Sequence, residues 1–97
     1  MRNDGIYVIG KIENTKVSML MDTGAKLTII SNEFFEKLGT KPQIKPASIK
    51  LTSASGDNIP VKGQCTVEMC LEDLKIPQEV IVANIKNPCI LGLDFMN

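Results

Sequence analysis

Residues 17–25 read Val-Ser-Met-Leu-Met-Asp-Thr-Gly-Ala, and this stretch decides how the rest of the chain is interpreted. The first five residues have the apolar character of a buried strand, and Asp22 follows them directly. A carboxylate in such a place costs free energy unless hydrogen-bond donors surround it. Thr23 supplies a hydroxyl group, and Gly24 supplies a backbone that can turn an N–H toward the carboxylate. Taken alone, Asp-Thr-Gly also fits an ordinary turn between two strands.

The remainder of the chain has the pattern of an all-β domain. Short β-branched and aliphatic runs are separated by turn residues about every 8–12 residues, which is typical of β sandwiches and barrels. One short helix is expected after a cap at Ser31 or Asn32, with Gly39 in the position that ends it. A second helix is expected to begin at Leu93. The predicted strands cover residues 6–12, 17–21, 27–30, 49–52, 59–61, 64–71, 80–83 and 89–92.

Composition excludes several classes of function. The chain has 97 residues, 11 basic and 11 acidic side chains, no histidine and no tryptophan. Catalytic triads and metal centres that use histidine are therefore impossible. A net charge of zero also lacks the basic surface of a nucleic-acid-binding protein, so we expect no nucleic-acid partner. The length fits a single domain, residues 1–97, and a domain this small often gains stability from a second copy.

The cysteines and the N-terminus indicate the compartment. Cys65 and Cys70 lie five residues apart, which puts them on opposite faces of a strand and disfavours a disulfide between them. With Cys89 they are interpreted as buried, reduced thiols and not as a metal site. No signal peptide and no apolar run of about 20 residues is present, so we predict no membrane association. The expected location is the cytoplasm, without secretion.

The context of Asp-Thr-Gly resembles a known family. This part of the chain resembles the active-site loop of the retropepsins, the retroviral-type aspartic proteases. It consists of apolar residues, then Asp22-Thr23-Gly24-Ala25, and then Leu27-Thr28-Ile29-Ile30-Ser31. Near the other end, residues 90–95 (Ile-Leu-Gly-Leu-Asp-Phe) resemble the second landmark of that family, as found in gypsy-type retrotransposon and DNA-damage-inducible-type proteases. The resemblance runs from about Ile6 to Phe95. It implies a closed β-barrel of the acid protease fold, one lobe per chain, with one or two short helices. It also implies a retroelement particle as an alternative to the cytoplasm as the expected location.

The resemblance also implies a role for individual residues. Asp22 corresponds to the catalytic aspartate, and Thr23 and Gly24 support the active site. Ile90 is implied to line a substrate pocket, whereas Leu91 and Gly92 pack behind the loop. The remaining substrate-binding residues implied by the resemblance are Ala25, Lys26, Ala54, Ser55, Gly56 and Asp57.

Between the two landmarks, a turn-rich segment lies where the family carries its flap. A hairpin over about residues 49–63, with Gly56 near its tip, is expected to close over an extended peptide by strand addition. An ordinary mobile hairpin is the alternative. Lys26 and Asp94 either form an ion pair that supports the loop or are separate solvated charges; both alternatives stay open.

The implied activity is that of an aspartic endopeptidase, with no metal or organic cofactor. Two carboxyl groups about 3 Å apart share one proton in such enzymes, because both cannot ionise at that distance. Only Asp22 has the Asp-Thr-Gly setting, so the second carboxyl must come from a second copy related by a two-fold axis. The expected partners are therefore a homodimeric copy and an extended peptide of a polyprotein. The alternatives are a weakly active peptide-binding or dimerisation module, and a host regulatory protease of the ubiquitin-receptor-linked type.

The C-terminus departs from the family pattern. Many members continue past the glycine-containing helix into a strand that interleaves with the partner subunit, whereas this sequence stops at Asn97. Two expectations follow. Either the dimer uses the N-terminal strand and the active-site loops, or the chain is a shortened form. In both cases the expectation is a weak dimer, or a monomer that is inactive until it is concentrated or embedded in its precursor.

Overall fold

The computed structural model describes residues 5–53 and 55–96. Strands dominate the described part of the chain, and two short helices follow the third and the eighth strand. In chain order the elements are β1 (Ile6–Ile12), β2 (Thr15–Met21), β3 (Ile29–Ser31), α1 (Asn32–Lys37), β4 (Leu51–Thr52), β5 (Asn58–Ile59), β6 (Val61–Leu71), β7 (Leu74–Ala83), β8 (Cys89–Leu91) and α2 (Leu93–Met96).

Six strands form a closed barrel in the order β1-β2-β8-β3-β7-β6, and β4 pairs only with β5 in a separate two-stranded sheet. The β1–β2 hairpin turns at Glu13 and Asn14, whose φ angles of 50° and 66° are those of a type I′ turn. Strand β8 is inserted between β2 and β3, parallel to β2 and antiparallel to β3. This insertion brings the C-terminal landmark next to the strand that leads into Asp-Thr-Gly. The all-β barrel with short helices predicted from the sequence is confirmed.

The barrel interior is filled by alternate side chains of its strands. Ile12, Met19, Ile30 and Met69 are completely buried, and the aromatic pair of α1 packs against the same cluster. Helix α1 begins at the predicted cap, where the Ser31 hydroxyl accepts a hydrogen bond from the N–H of the third helical residue at 2.9 Å. Burial of this apolar set is the main favourable contribution to folding.

Two element boundaries differ from the sequence prediction for identifiable reasons. Strand β7 begins at Leu74, several residues before the predicted start, although it contains Pro77. Strand β3 pairs with β7 only over residues 81–83 of β7. Pro77 therefore lies where β7 has a neighbouring strand on one side only, and its missing N–H costs no hydrogen bond between strands. At the end of α1, Gly39 follows the cap residue but does not have a positive φ, because Leu38 has already turned to extended backbone.

The three cysteines are free thiols. Cys65 and Cys89 are buried, and burial raises the pKa of Cys89 to about 12. Cys70 is only half buried, and its Sγ lies 3.4 Å from the backbone oxygen of Glu72. The expectation of buried thiols is therefore confirmed for Cys65 and Cys89 and only partly met at Cys70. Three or more metal-ligating side chains do not come together within residues 5–53 and 55–96.

One further finding concerns membranes. Within the described part of the chain, no helix has the length and apolar character that crossing a membrane requires.

Candidate active site

Asp22 lies directly after β2, at the start of what we call the Asp-Thr-Gly loop (residues 22–28). Its N–H donates to the backbone oxygen of Leu91 at 3.0 Å, which ties the loop to β8. Its Oδ1 accepts a hydrogen bond from the N–H of Gly24 at 2.9 Å, and its backbone oxygen accepts from Ala25 at 3.1 Å. The donor that the sequence suggested for the carboxylate is thus present. The carboxylate is half exposed, so it is accessible to a ligand.

Gly24 is placed so that a side chain would crowd this carboxylate. A Cβ atom built on Gly24 would lie 3.2 Å from Oδ1 of Asp22, which is closer than most such contacts. The hydroxyl group of Thr23, by contrast, is exposed and has no hydrogen-bond partner among the residues that the structure describes. Both residues are at the surface of the single chain.

The start of α2 supports the loop from behind. The N–H groups of Leu93 and Asp94 donate to the backbone oxygens of Ala25 and Lys26 at 2.8 and 3.1 Å. Gly92 allows this approach, because a Cβ there would lie 2.5 Å from the carbonyl carbon and oxygen of Leu27. The two landmarks, which are about seventy residues apart in the sequence, are therefore in direct backbone contact.

A buried threonine links the loop to the same helix. The hydroxyl of Thr28, which is completely buried, donates to Oδ1 of Asp94 at 2.7 Å and accepts from the N–H of Gly92 at 3.2 Å. The second oxygen of the Asp94 carboxylate accepts from Gln78 on β7 at 3.2 Å. Sequence reasoning missed Thr28 and Gln78. The signal for Thr28 was present, since it is a hydroxyl residue inside an apolar run.

The possible ion pair between Lys26 and Asp94 is not formed. The Asp94 carboxylate accepts hydrogen bonds from Thr28 and Gln78 instead. Asp94 and Lys26 are both exposed, so the two residues are separate charges in contact with solvent. Within residues 5–53 and 55–96 the only ion pair joins Lys62 to Glu36, at 2.7 Å. The ammonium group of Lys26 is exposed and unpaired within that part of the chain.

A groove of about 530 Å³ lies between the Asp-Thr-Gly loop and the segment that leads into β4. Its floor is continuous with a small apolar cluster built on Ile29, Ile81 and Ala83, which is separate from the barrel interior. Ile90 of β8 is half buried and is not among the groove residues. Leu91 and Gly92 are buried behind the loop. The groove is lined by Gly24, Ala25, Lys26, Leu27, Ile29, Ile49, Lys50, Leu51 and Thr52.

The β4–β5 hairpin (residues 51–59) projects beside this groove. Its turn is closed by hydrogen bonds between the backbones of Ser53 and Asp57 at 2.8 Å and of Gly56 and Ser53 at 2.9 Å. Gly56 has a φ of 89°, a conformation that favours glycine. Ser55, Gly56 and Asp57 are exposed, and Ala54 lies outside the described residues. The hairpin predicted between the two landmarks is therefore present, with Gly56 in its turn.

A family model supports the resemblance proposed from the sequence. The model of the gag-polyprotein putative aspartyl proteases matches residues 8–97. The chain belongs to this aspartyl protease family. Among curated proteins, this family member is similar to the uncharacterized protein K02A2.6 of Caenorhabditis elegans, with 31% identity over 81 residues. That match covers 84% of this chain and only 6% of the relative's length.

Solved structures show that the family member has the retropepsin fold. EIAV protease, in a complex with the inhibitor HBY-793, has a TM-score of 0.84 and 20% identity, covering 99% of this chain and 91% of that one. The retroviral protease-like domain of Ddi1 from Leishmania major has a TM-score of 0.74 and 19% identity, covering 99% and 73%. A retropepsin-like aspartic protease from Rickettsia conorii has a TM-score of 0.74 and 20% identity, covering 98% and 81%.

Proposed function

We propose that this chain is an aspartic endopeptidase that acts as a homodimer, with Asp22 of each subunit as the catalytic group. The observation that carries the proposal is the environment of the Asp22 carboxylate. It is half exposed, held by the Gly24 N–H at 2.9 Å, and placed on a loop that forms one wall of a peptide-sized groove. Such a carboxylate is available for chemistry and is fixed in orientation.

A second copy is required because one chain has a single aspartate in this setting. The surface beside Asp22 supports such a contact. Ile6 and Tyr7 of β1 are 67% and 55% exposed, and Ile6 pairs with Met21, the residue before Asp22. Exposed apolar side chains next to the loop fit an isologous interface around a two-fold axis. The free hydroxyl of Thr23 is then available to bond across that axis.

In the proposed reaction the two carboxyl groups share one proton. The ionised group takes a proton from a water molecule, whose oxygen forms a bond to the carbonyl carbon of the peptide, while the protonated group donates to the carbonyl oxygen. Collapse of the tetrahedral intermediate breaks the C–N bond as a proton passes to the nitrogen, giving a carboxylic acid and an amine. Since the singly protonated pair is the active form, we expect activity at acidic to near-neutral pH.

The proposed substrate is an extended, mainly apolar segment of a polyprotein. The apolar lining of the groove suits apolar side chains, and the β4–β5 hairpin offers backbone groups for strand addition over the peptide. The family's description as proteases of gag polyproteins supports the choice of a polyprotein. In this proposal Ser55, Gly56 and Asp57 belong to the flap.

The test compares wild type with Asp22→Asn on a peptide library at pH 5 and high protein concentration. We expect cleavage by wild type and at least a thousandfold lower rate for the variant, because the amide cannot accept the proton of water. Sedimentation velocity at several concentrations measures dimer formation in parallel. If the sample is dimeric and neither wild type nor Asp22→Asn cleaves any peptide, the alternative of a peptide-binding or dimerisation module is favoured. A strictly monomeric species that cleaves peptides would contradict the shared pair.

A further inference from the structure

We propose that the groove selects peptides that carry an acidic side chain beside their apolar ones, and that Lys26 and Lys50 recognise this acid. The inference rests on the proposed function, since it takes the groove to be the substrate cleft. It adds a charge requirement to a site that the apolar lining alone would leave open to any apolar segment.

The charged part of the lining has one sign. Lys26 and Lys50 both line the groove and are exposed, and no acidic side chain lines it with them. Neither ammonium group has an ion-pair or hydrogen-bond partner within residues 5–53 and 55–96. Two unpaired positive charges, one on each wall of the groove, attract a carboxylate, and the low-dielectric apolar lining beside them strengthens that attraction.

The Asp94 carboxylate, considered above as a partner of Lys26, bonds to other groups. Asp94 comes close enough for its N–H to donate to the backbone oxygen of Lys26 at 3.1 Å, yet its carboxylate bonds to Thr28 and Gln78. The structure thus leaves the lysine charge unneutralised although a carboxylate lies on the adjoining helix. An unpaired lysine in this position is a means of recognising a ligand.

The position of Asp22 restricts where the acidic side chain can bind. Its Oδ1 accepts a hydrogen bond from the N–H of Gly24, a residue of the groove lining, so a second carboxylate at that point would be repelled. Lys26 and Lys50 are the positively charged residues of the same lining. An extended peptide directs alternate side chains to the same wall, so apolar side chains can fill the pocket while an acidic one reaches the lysines.

The test measures binding and cleavage with fluorescein-labelled decapeptides that have two central apolar residues. Glu, Gln or Lys is placed in turn at the second, third and fourth residue on either side of the centre. Binding is measured by anisotropy with Asp22→Asn, so that it does not depend on turnover. Exposed ion pairs are modest, so we expect the best Glu peptide to bind about fivefold more tightly than its Gln version. The preference should shrink between 50 and 500 mM salt, as screening requires.

Charge reversal identifies the residues. Lys26→Glu in the same background is expected to favour the Lys peptide over the Glu peptide, and Lys50→Glu is expected to weaken the original preference. Lys75→Glu is the matched control, because Lys75 is an exposed lysine of β7 at the far end of the β6–β7 ribbon from Ala83. Lys75→Glu changes the net charge by the same amount and should leave the ratio of affinities for the Glu and Lys peptides unchanged.

Two results would overturn the inference. One is equal affinity for the Glu, Gln and Lys peptides at every position, and the other is a Glu preference that Lys26→Glu and Lys50→Glu do not alter. The proposed function fails in a different way, by the absence of cleavage that depends on Asp22. A Glu preference in binding without any cleavage would support the inference as a property of the groove and contradict the endopeptidase.

Discussion

The two walls of the groove are held in different ways. The Asp-Thr-Gly loop donates a backbone hydrogen bond to β8 and accepts backbone hydrogen bonds from α2 and from β7, where the N–H of Ile81 donates to the backbone oxygen of Thr28 at 2.9 Å. The β4–β5 hairpin pairs over only two residue pairs, Leu51 with Ile59 and Thr52 with Asn58, and its turn is closed by its own residues. One wall is part of the barrel, and the other is an attached ribbon.

This difference matches what each wall would do in a peptidase. A group that must meet a water molecule and a carbonyl needs a fixed position, because misplacement by about 1 Å can cost a hundredfold in rate. A segment that closes over a peptide must open again, so it is expected to come from the less stable part of the fold. The predictions below test whether the loop is as strongly supported, and the hairpin as independent, as the contacts indicate.

The largest effect is expected for Gly92→Ala. The new Cβ would lie 2.5 Å from backbone atoms of Leu27. Backbone atoms cannot turn aside as the end of a flexible side chain can, so the loop must shift. We expect a loss of about 3 kcal/mol in the free energy of unfolding, measured in urea. Gly39→Ala is the control, since a Cβ there meets nothing within 4 Å. Equal stability of the two variants would show that α2 does not support the loop closely.

Thr28→Val is expected to have the next largest effect. The substitution keeps the shape of a completely buried side chain but removes the partner of both the Asp94 carboxylate and the Gly92 N–H. Leaving such groups without a hydrogen bond costs about 2 kcal/mol. Thr66→Val, at an exposed position of β6, should change stability by no more than about 0.5 kcal/mol. If Thr28→Val lowers the free energy of unfolding no more than Thr66→Val does, the supporting role of the Thr28 hydroxyl is contradicted.

Gly56→Ala tests the other wall. Its φ of 89° strains an alanine, while a Cβ there meets nothing within 4 Å. We expect a cost of about 1 kcal/mol confined to the hairpin, with a smaller loss in global stability and weaker peptide binding. Asn tolerates positive φ better, so Gly56→Asn should be milder. Global destabilisation as large as that of Gly92→Ala would mean that the hairpin belongs to the folding core.

The smallest effect is expected from loss of the ion pair between Lys62, near the start of β6, and Glu36. Lys62 donates to Glu36 of α1 at 2.7 Å and lies 5.5 Å from the centre of the Phe35 ring. The hydrogen bond from its ammonium group, and then its charge, lower the pKa of Glu36 below the ordinary value of a glutamate. A lowered folded-state pKa stabilises the protein above the unfolded value, and this contribution disappears as the pH falls through the folded value.

Urea midpoints of wild type and Glu36→Gln should therefore differ slightly at pH 7 and converge as the pH falls through the lowered folded-state pKa of Glu36. Both groups are exposed, so the difference at pH 7 is expected to be close to the limit of detection. Glu33→Gln controls for the loss of a carboxylate from the same helix. A large difference that persists at low pH would indicate a packing role for the Glu36 side chain.

Much of the site could be predicted because its signals are local. Asp-Thr-Gly is contiguous, the cap at Ser31 acts on the next three residues, and Gly56 is needed by its own turn. The partners of Asp94 could not be predicted, since Thr28 and Gln78 are distant in sequence and meet it only after the barrel closes. The ion pair considered for Lys26 failed for the same reason: a charged residue in each landmark does not show which donor the Asp94 carboxylate will bond in the folded chain.

By itself, the sequence determined the class of fold and the strand that leads to Asp22, because period-two patterns and turn residues depend on neighbouring positions. The glycine behind the loop was implied by the resemblance of residues 90–95 to the family landmark. Only the tertiary structure decided that β8 lies between β2 and β3, that Gly92 contacts Leu27, and that Lys26 is left unpaired at the groove. These outcomes depend on how distant segments share one interior, where packing and hydrogen-bond geometry select among partners that the sequence leaves equivalent.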